Sequence, residues 1–217
     1  MVIESTVGYM RPALAYLQDL NLQPEVVIDI GANMGHFSLL SREMFGDVKI
    51  HAFEPNIACK ELLRPFKHYP VALGASPARL DYFRDPNDPT SGGNSLYKED
   101  TEFFAQAESD VINVKTLDSF YLDADLIKID VQGAELDVIK GGKQTIKDAK
   151  ALLIELSFLE YNRHGCLIDD VLRYTRELGF RLIYTFGPQH GIHWHKSRPC
   201  QVDGLFVRED IDVFRVV

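Results

Sequence analysis

The chain has 217 residues, 46% of them hydrophobic, and a formal net charge of −9 with no block of Lys and Arg. That is one domain with apolar material enough for a substantial core, and its acidity argues against a nucleic-acid partner, since phosphate contacts need clustered cations. No apolar run reaches the length of a membrane span, and the opening MVIESTVGYMRPALAYL lacks the apolar block of a signal peptide, so a cytoplasmic protein with no membrane partner is expected.

In chain order, residues 11–20 predict a helix, with Leu14 and Leu17 at helical spacing. Residues 26–30 (VVIDI) predict a buried parallel strand, and Gly31 and Gly35 break the chain before a helix whose Phe37, Leu40 and Met44 share a face and which Gly46 stops. Residues 49–53 (KIHAF) predict the second strand, ending at Glu54-Pro55; Asn56 is the N-cap of a helix running through Leu62 and Leu63. Residues 69–73 predict the third strand, and 80–83 a hairpin or edge strand. Residues 85–110, with DPNDPTSGGNS inside them, have the composition of turns and mobile loop.

Order resumes with a strand at 111–114, a short helix at 117–121 and the fourth core strand at 126–130 (LIKID). A helix at 134–139, stopped by Gly141-Gly142, leads to a fifth strand at 151–156 (ALLIEL). Residues 167–178 predict an amphipathic helix with Ile168, Val171, Leu172 and Thr175 inward and Gly179 as its C-cap; strands at 180–185 and 202–207 close the chain. Strands alternating with helices predict a parallel sheet covered on both faces, with its ligand site beyond the carboxyl ends of the strands.

Asp29, Glu54 and Asp130 stand at three of those strand ends, and Glu155 one residue short of a fourth. Unpaired charge is excluded from apolar strands, so acids at successive ends point to one polar site along the rim; capping a helix or pairing with Lys or Arg is the alternative for each. Two ligand classes fit a glycine turn followed by an acid that can accept hydrogen bonds from ribose hydroxyls: dinucleotides and S-adenosylmethionine. A dinucleotide site wants G-x-G-x-x-G, but here the run is Gly31-x-x-x-Gly35 with Asn33 at the middle position, which leans toward S-adenosylmethionine.

The stretch IKIDVQGAELDVIKGG resembles the FkbM-type methyltransferase family. IDIGANMGHFS, AFEPN, VALGAS, NSL, VKTLDSF, LIEL and QVDGLFVR resemble it in the same order, so that the resemblance spans about residues 25–208. Gln132 is a departure, standing where the family usually has glutamate. The resemblance implies a single domain with the α/β class I methyltransferase fold: a Rossmann-like three-layer sandwich whose seven-stranded, mostly parallel sheet carries one antiparallel strand. Residues 1–24 would be a helical extension and 85–110 a long variable loop.

It also implies an S-adenosylmethionine-dependent O-methyltransferase acting on a sugar, glycan or small hydroxylated metabolite. The alternatives are an NAD-dependent oxidoreductase and a non-catalytic S-adenosylmethionine-binding module. Carried over by position, Gly31, Asn33 and Gly35 hold the amino-acid part of the cofactor. Asp29 orients that turn or meets the methionine ammonium through water, Glu54 binds the ribose diol, and Ala72 and Leu73 lie near the adenine. Asp130, beside the methyl donor, is the first candidate for general base, followed by Glu155 and Glu135; Lys128 either pairs with one of these acids or points away.

Asn94 and Ser95 are expected to border the acceptor or close over it, with Tyr161 and Trp194 placed for stacking on a sugar ring. Mg²⁺ at Asp130 and Glu155 suits oxygen ligands but is not favoured, for want of a third carboxylate. His190, His193 and His195 have poor spacing for structural zinc, and the widely spaced Cys59, Cys166 and Cys200 read as reduced thiols. Oligomeric state does not follow from the sequence.

Overall fold

The structure, a computed structural model, describes residues 7–102, 104–187, 193–195 and 198–213. After a 3₁₀ turn, helix α1 (Arg11–Asp19) leads into β1 (Val26–Ile30), α2 (His36–Phe45) and β2 (Lys49–Phe53). Then come β3 (Lys67–Tyr69), β4 (Ala72–Leu73), β5 (Ala78–Arg84), β6 (Glu108–Lys115) and β7 (Leu126–Ile129). Helices α3 (Glu135–Gly141) and α4 (Lys143–Asp148), β8 (Ala151–Ser157), α5 (Ile168–Glu177), β9 (Phe180–Phe186), β10 (His193–His195) and β11 (Arg198–Arg208) complete the chain.

The main sheet runs β3–β2–β1–β7–β8–β11, with β9 and the short β10 along the far edge of β11. β1 is parallel to β2 and β7, β7 to β8, and β2 to β3. β11 is antiparallel to both β8 and β9. This is the expected mostly parallel sheet with an antiparallel strand inserted, and β10 adds an eighth strand to the seven expected. Strand order reverses at β1, the switch point where such sheets bind ligands.

Alternation along the strands divides the core. One face carries Val27, Ile50, Leu126, Leu153 and Leu205 and packs against Leu14 and Leu17 of α1 and Phe37 and Leu40 of α2. The other carries Ile28, Ile127, Leu152, Ile154 and Phe206 and packs against Val138, Ile139, Ile146 and Val171 of α3 to α5. Helix α1 is therefore core material and not an appendage. No helix among the described residues is long and apolar enough to cross a membrane.

Three expectations are corrected. No helix follows Asn56: its side chain caps only a 3₁₀ turn (Ile57–Cys59), and the chain goes on in i→i+3 bonds such as Leu62 N–H to Cys59 O until β3 begins. The third strand is broken, because Pro70 has no N–H for the ladder; β4 leaves the main sheet and pairs with β6. Finally, the irregular residues 85–102 and 104–107 are not all surface turns: Asn94, Ser95, Thr101 and Phe104 are buried, and β5, just before them, pairs antiparallel with β6, just after them.

Candidate active site

The strand alternation that builds the core also builds the site. Counting by two from the apolar residues of one face reaches Asp29 on β1, Glu54 after β2, Lys128 and Asp130 at the end of β7, Glu155 on β8 and Asp203 on β11. All six polar groups therefore end on one face at one end of the sheet. A cavity of about 450 Å³ opens over them, within the usual size range of small-molecule sites.

The turn after β1 forms the cavity floor. Gly31 has φ +74°, and a Cβ there would stand 1.8 Å from the Asp130 carbonyl oxygen, so the glycine serves the close passage of two backbones. Gly35, at φ +80°, is the left-handed residue that starts α2 and is packed under Leu63 and Phe66. Asn33 also has positive φ; its N–H donates to Glu54 Oε2 at 2.8 Å and its Nδ2 to Thr90 O at 2.9 Å. Glu54 Oε1 accepts from Asn56 N–H at 2.8 Å. Burial raises the pKa of Glu54, while those two N–H donors and Lys128 pull the other way. Val71, Ala72, Leu73, Asn94, Ser95 and Leu96 also line the cavity.

Asp29 lies under the floor rather than in the cavity lining. It accepts from Ser38 Oγ at 2.7 Å and faces Lys128 Nζ at 3.5 Å. Lys128 also donates to Gly31 O at 2.9 Å and pairs with Asp130 at 3.2 Å. Burial alone would lower the lysine pKa, but Asp130 and Asp29 more than offset it and hold the ammonium above its ordinary value. The strand lysine thus points at the acids, not away from them.

Asp130 and Glu155 are joined by Gln132. Its Nε2 donates to Asp130 Oδ1 at 2.9 Å and to Glu155 Oε2 at 2.8 Å, while Tyr161 donates its hydroxyl to Gln132 Oε1 at 2.9 Å. Burial, then Asp130 and Asp203, push the Glu155 pKa well up. Among the described residues no group of three or more His, Cys, Asp or Glu side chains is arranged to hold a cation.

Glu135 is not brought to the cavity lining. Its carboxylate accepts from the N–H groups of Val131 and Gly133 and clamps the turn that carries Gln132; burial there pushes its pKa up to about 7. Of the acceptor residues expected, Asn94, Ser95 and Tyr161 line the cavity. Trp194 belongs to β10, but its side chain, like His190, lies outside the described residues, as do the side chains of His193 and His195. The sequence reading missed Tyr9, Gln201 and Asp203. Asp203 had a signal, a single acid inside the apolar strand VDGLFV; Tyr9 had none.

The chain matches the Methyltransferase FkbM domain over residues 29–182. It is 31% identical over 153 residues to "Methyltransferase sdnD" of Sordaria araneosa, covering 53% of this chain and 59% of that protein. It is 29% identical over 153 residues to "2-O-methyltransferase NoeI" of Sinorhizobium fredii, covering 61% of this chain and 63% of that protein. The matches thus span about six-tenths of the length of these curated relatives. Among solved structures, the magnesium protoporphyrin IX methyltransferase of Synechocystis superposes with a TM-score of 0.52 at 12% identity, covering 92% of this chain and 77% of the other. The StiE O-methyltransferase region does so with a TM-score of 0.51 at 11% identity, covering 95% and 77%. Both are likenesses of fold. With the motif-bearing strands, the switch-point cavity and a family match over most of its length, this chain belongs to the FkbM methyltransferase family.

Proposed function

We propose that the protein is an S-adenosylmethionine-dependent O-methyltransferase whose acceptor is a hydroxyl of a sugar, glycan or small hydroxylated metabolite. The observation that carries this reading is Glu54. Its carboxylate is held rigid by one backbone N–H on each oxygen, and it sits in the cavity wall one strand from the glycine turn. Each oxygen keeps lone-pair capacity for a further donor, which fits a ribose diol. Ala72 and Leu73 with the buried Phe53 give the apolar wall that an adenine ring requires, and the turn at 31–35 gives backbone groups for the amino-acid end. When bound, S-adenosylmethionine supplies a methyl group already activated on a sulfonium.

The chain's own part is then to orient the acceptor, exclude water and take up a proton. Orientation alone is worth up to about 7–11 kcal/mol in such reactions. Asp130 and Glu155, together with Glu99, are the carboxylates that border the cavity beyond Glu54. Asn94, Ser95 and Tyr161 are assigned to the acceptor side. The curated name 2-O-methyltransferase of the relative NoeI supports oxygen as the acceptor atom.

Calorimetry with S-adenosylhomocysteine and with NAD, run side by side, tests the cofactor. The expected result is binding of the first only; binding of NAD alone would overturn the reading. Labelled methyl transfer from S-adenosylmethionine into hydroxylated acceptors tests the activity, and a protein that binds the cofactor yet labels none of them is a binding module.

A further inference from the structure

The antiparallel register of β11 on β8 sets Asp203 against Glu155 and Gln201 against Ser157. Directly opposed residues on one face have Cβ atoms about 4.5–5.5 Å apart, so the two carboxylates are neighbours, and both are buried. Tyr9, from the segment ahead of α1, hydrogen-bonds to Asp203. Gln201 shares this face; it is 5% exposed, lines the cavity, and its Nε2 makes no hydrogen bond among the described residues. A buried amide nitrogen without an acceptor is costly in a folded protein, and its position marks this end of the cavity as completed by a polar ligand.

Of the carboxylates lining the cavity, Asp130 and Glu155 are the two that Gln132 bridges, and they are not equivalent. Asp130 is engaged on both oxygens, by Lys128 at 3.2 Å and by Gln132 at 2.9 Å. Neither oxygen of Asp130 is therefore without a protein partner. Among the described residues, Glu155 accepts only from Gln132, on Oε2, no hydrogen bond reaches Oε1, and no cation pairs with it directly. A second acid stands across the strand pair.

We propose that Glu155 is the residue that takes the proton from the acceptor hydroxyl, with Asp203 opposite it and Gln132 beside it as positioning residues. The inference rests on the methyl-transfer reading above. The acceptor O–H bond breaks with its electron pair left on oxygen, and the proton passes to Glu155. That oxygen forms the new bond to the methyl carbon as the carbon–sulfur electron pair leaves on sulfur, and Glu155 afterwards returns its proton to water.

Gln132 fixes the geometry. Tyr161 donates to Gln132 Oε1, which orients the amide so that Nε2 faces both acids. A glutamate at 132 would offer no donor when ionised. The groups facing Glu155 are Asp130 and Lys128 from β7, Glu135 from α3, Asp203 from β11, Tyr9 and Tyr161. Burial, Asp130, Asp203 and Glu135 strengthen its hold on a proton, and Lys128 weakens it. A base with proton affinity raised toward the working pH is the more effective one.

The test follows ¹³C-labelled glutamate carboxyls by NMR across a pH titration, with and without S-adenosylhomocysteine, in the wild type, Glu155→Gln and Asp203→Asn. The resonance missing from Glu155→Gln is expected to titrate above the ordinary carboxylate range in the wild type and to move to lower pH in Asp203→Asn. In parallel, labelled methyl transfer to neutral methyl glycosides should fall about 10²–10⁴-fold in kcat for Glu155→Gln, with S-adenosylhomocysteine affinity unchanged. Asp203→Asn should move the acidic limb of kcat/KM to lower pH. A Glu155 that titrates in the ordinary range, or a Glu155→Gln protein as fast as wild type, overturns the proposal. If no form binds S-adenosylhomocysteine, or the wild type methylates none of the glycosides, the cofactor or acceptor reading fails instead, and the carboxyl titration still decides the role of Glu155.

Discussion

The Asn33 N–H donates to Glu54 Oε2 over 2.8 Å, tying the turn after β1 to the end of β2. The carboxylate read as a ribose ligand is thus also the clasp of the turn read as the amino-acid ligand. Glu54→Ala should weaken S-adenosylhomocysteine binding by about 1.5–3 kcal/mol, the worth of hydrogen bonds to a charged group, as measured by calorimetry. Unchanged affinity would remove Glu54 from the site.

Gly31 is fixed by backbone geometry rather than by a ligand. A methyl group at its Cβ position would overlap the Asp130 carbonyl oxygen, at a φ of +74° that disfavours alanine. Gly31→Ala should cost about 2 kcal/mol or more, a fall of about 4–8 °C in Tm for a domain of this size, and scanning calorimetry without any ligand reads it.

Lys128 is the cation that the buried Asp29 faces. Removing one partner of a buried pair strands the other, at about 3–5 kcal/mol. Lys128→Met should lower stability to urea by that order, and the double variant Lys128→Met, Asp29→Asn should recover part of the loss. A double variant no more stable than the single one would contradict the pairing.

Glu135 titrates in the folded protein near 7, because burial disfavours its charge. Its folded pKa lies above the unfolded value, so the folded state binds the extra proton between about pH 4.5 and 7. The stability this contributes is complete below the unfolded pKa and is lost as pH rises through 7, by about 3 kcal/mol over the interval. Urea unfolding across that range should show Glu135→Gln with a flatter pH dependence than wild type. Equal slopes would mean that Glu135 titrates normally.

How much of this was legible in the sequence differs by element. The strands with apolar runs, Val26–Ile30 and Ala151–Ser157, and the acids on them could be read because buried strands exclude unpaired charge. The break at Pro70 was readable from its missing N–H and was passed over in favour of the apolar residues around it. Residues 85–107 looked like loop because composition reports turns, not where turns are packed; Asn94 is buried through bonds to Asp85 N–H and Pro89 O that no local pattern encodes. Glu135 was read as facing the ligand because its place in a helix's first turn does not say which way the preceding turn folds over it. Tyr9 reaches Asp203 across almost the whole length of the chain, and periodicity carries no such information.

The domain match ends at residue 182, yet Tyr9, Met10, Cys200 and Gln201 all line the cavity. A shortened protein confined to 29–182 would expose the hydrogen-bonding edge of β8 where β11 now lies and invite edge-to-edge self-association. It would also leave Glu155 facing bulk water. Any attempt to miniaturise or transplant this catalytic fold must carry both chain ends along, since together they close one side of the vessel that the middle merely floors.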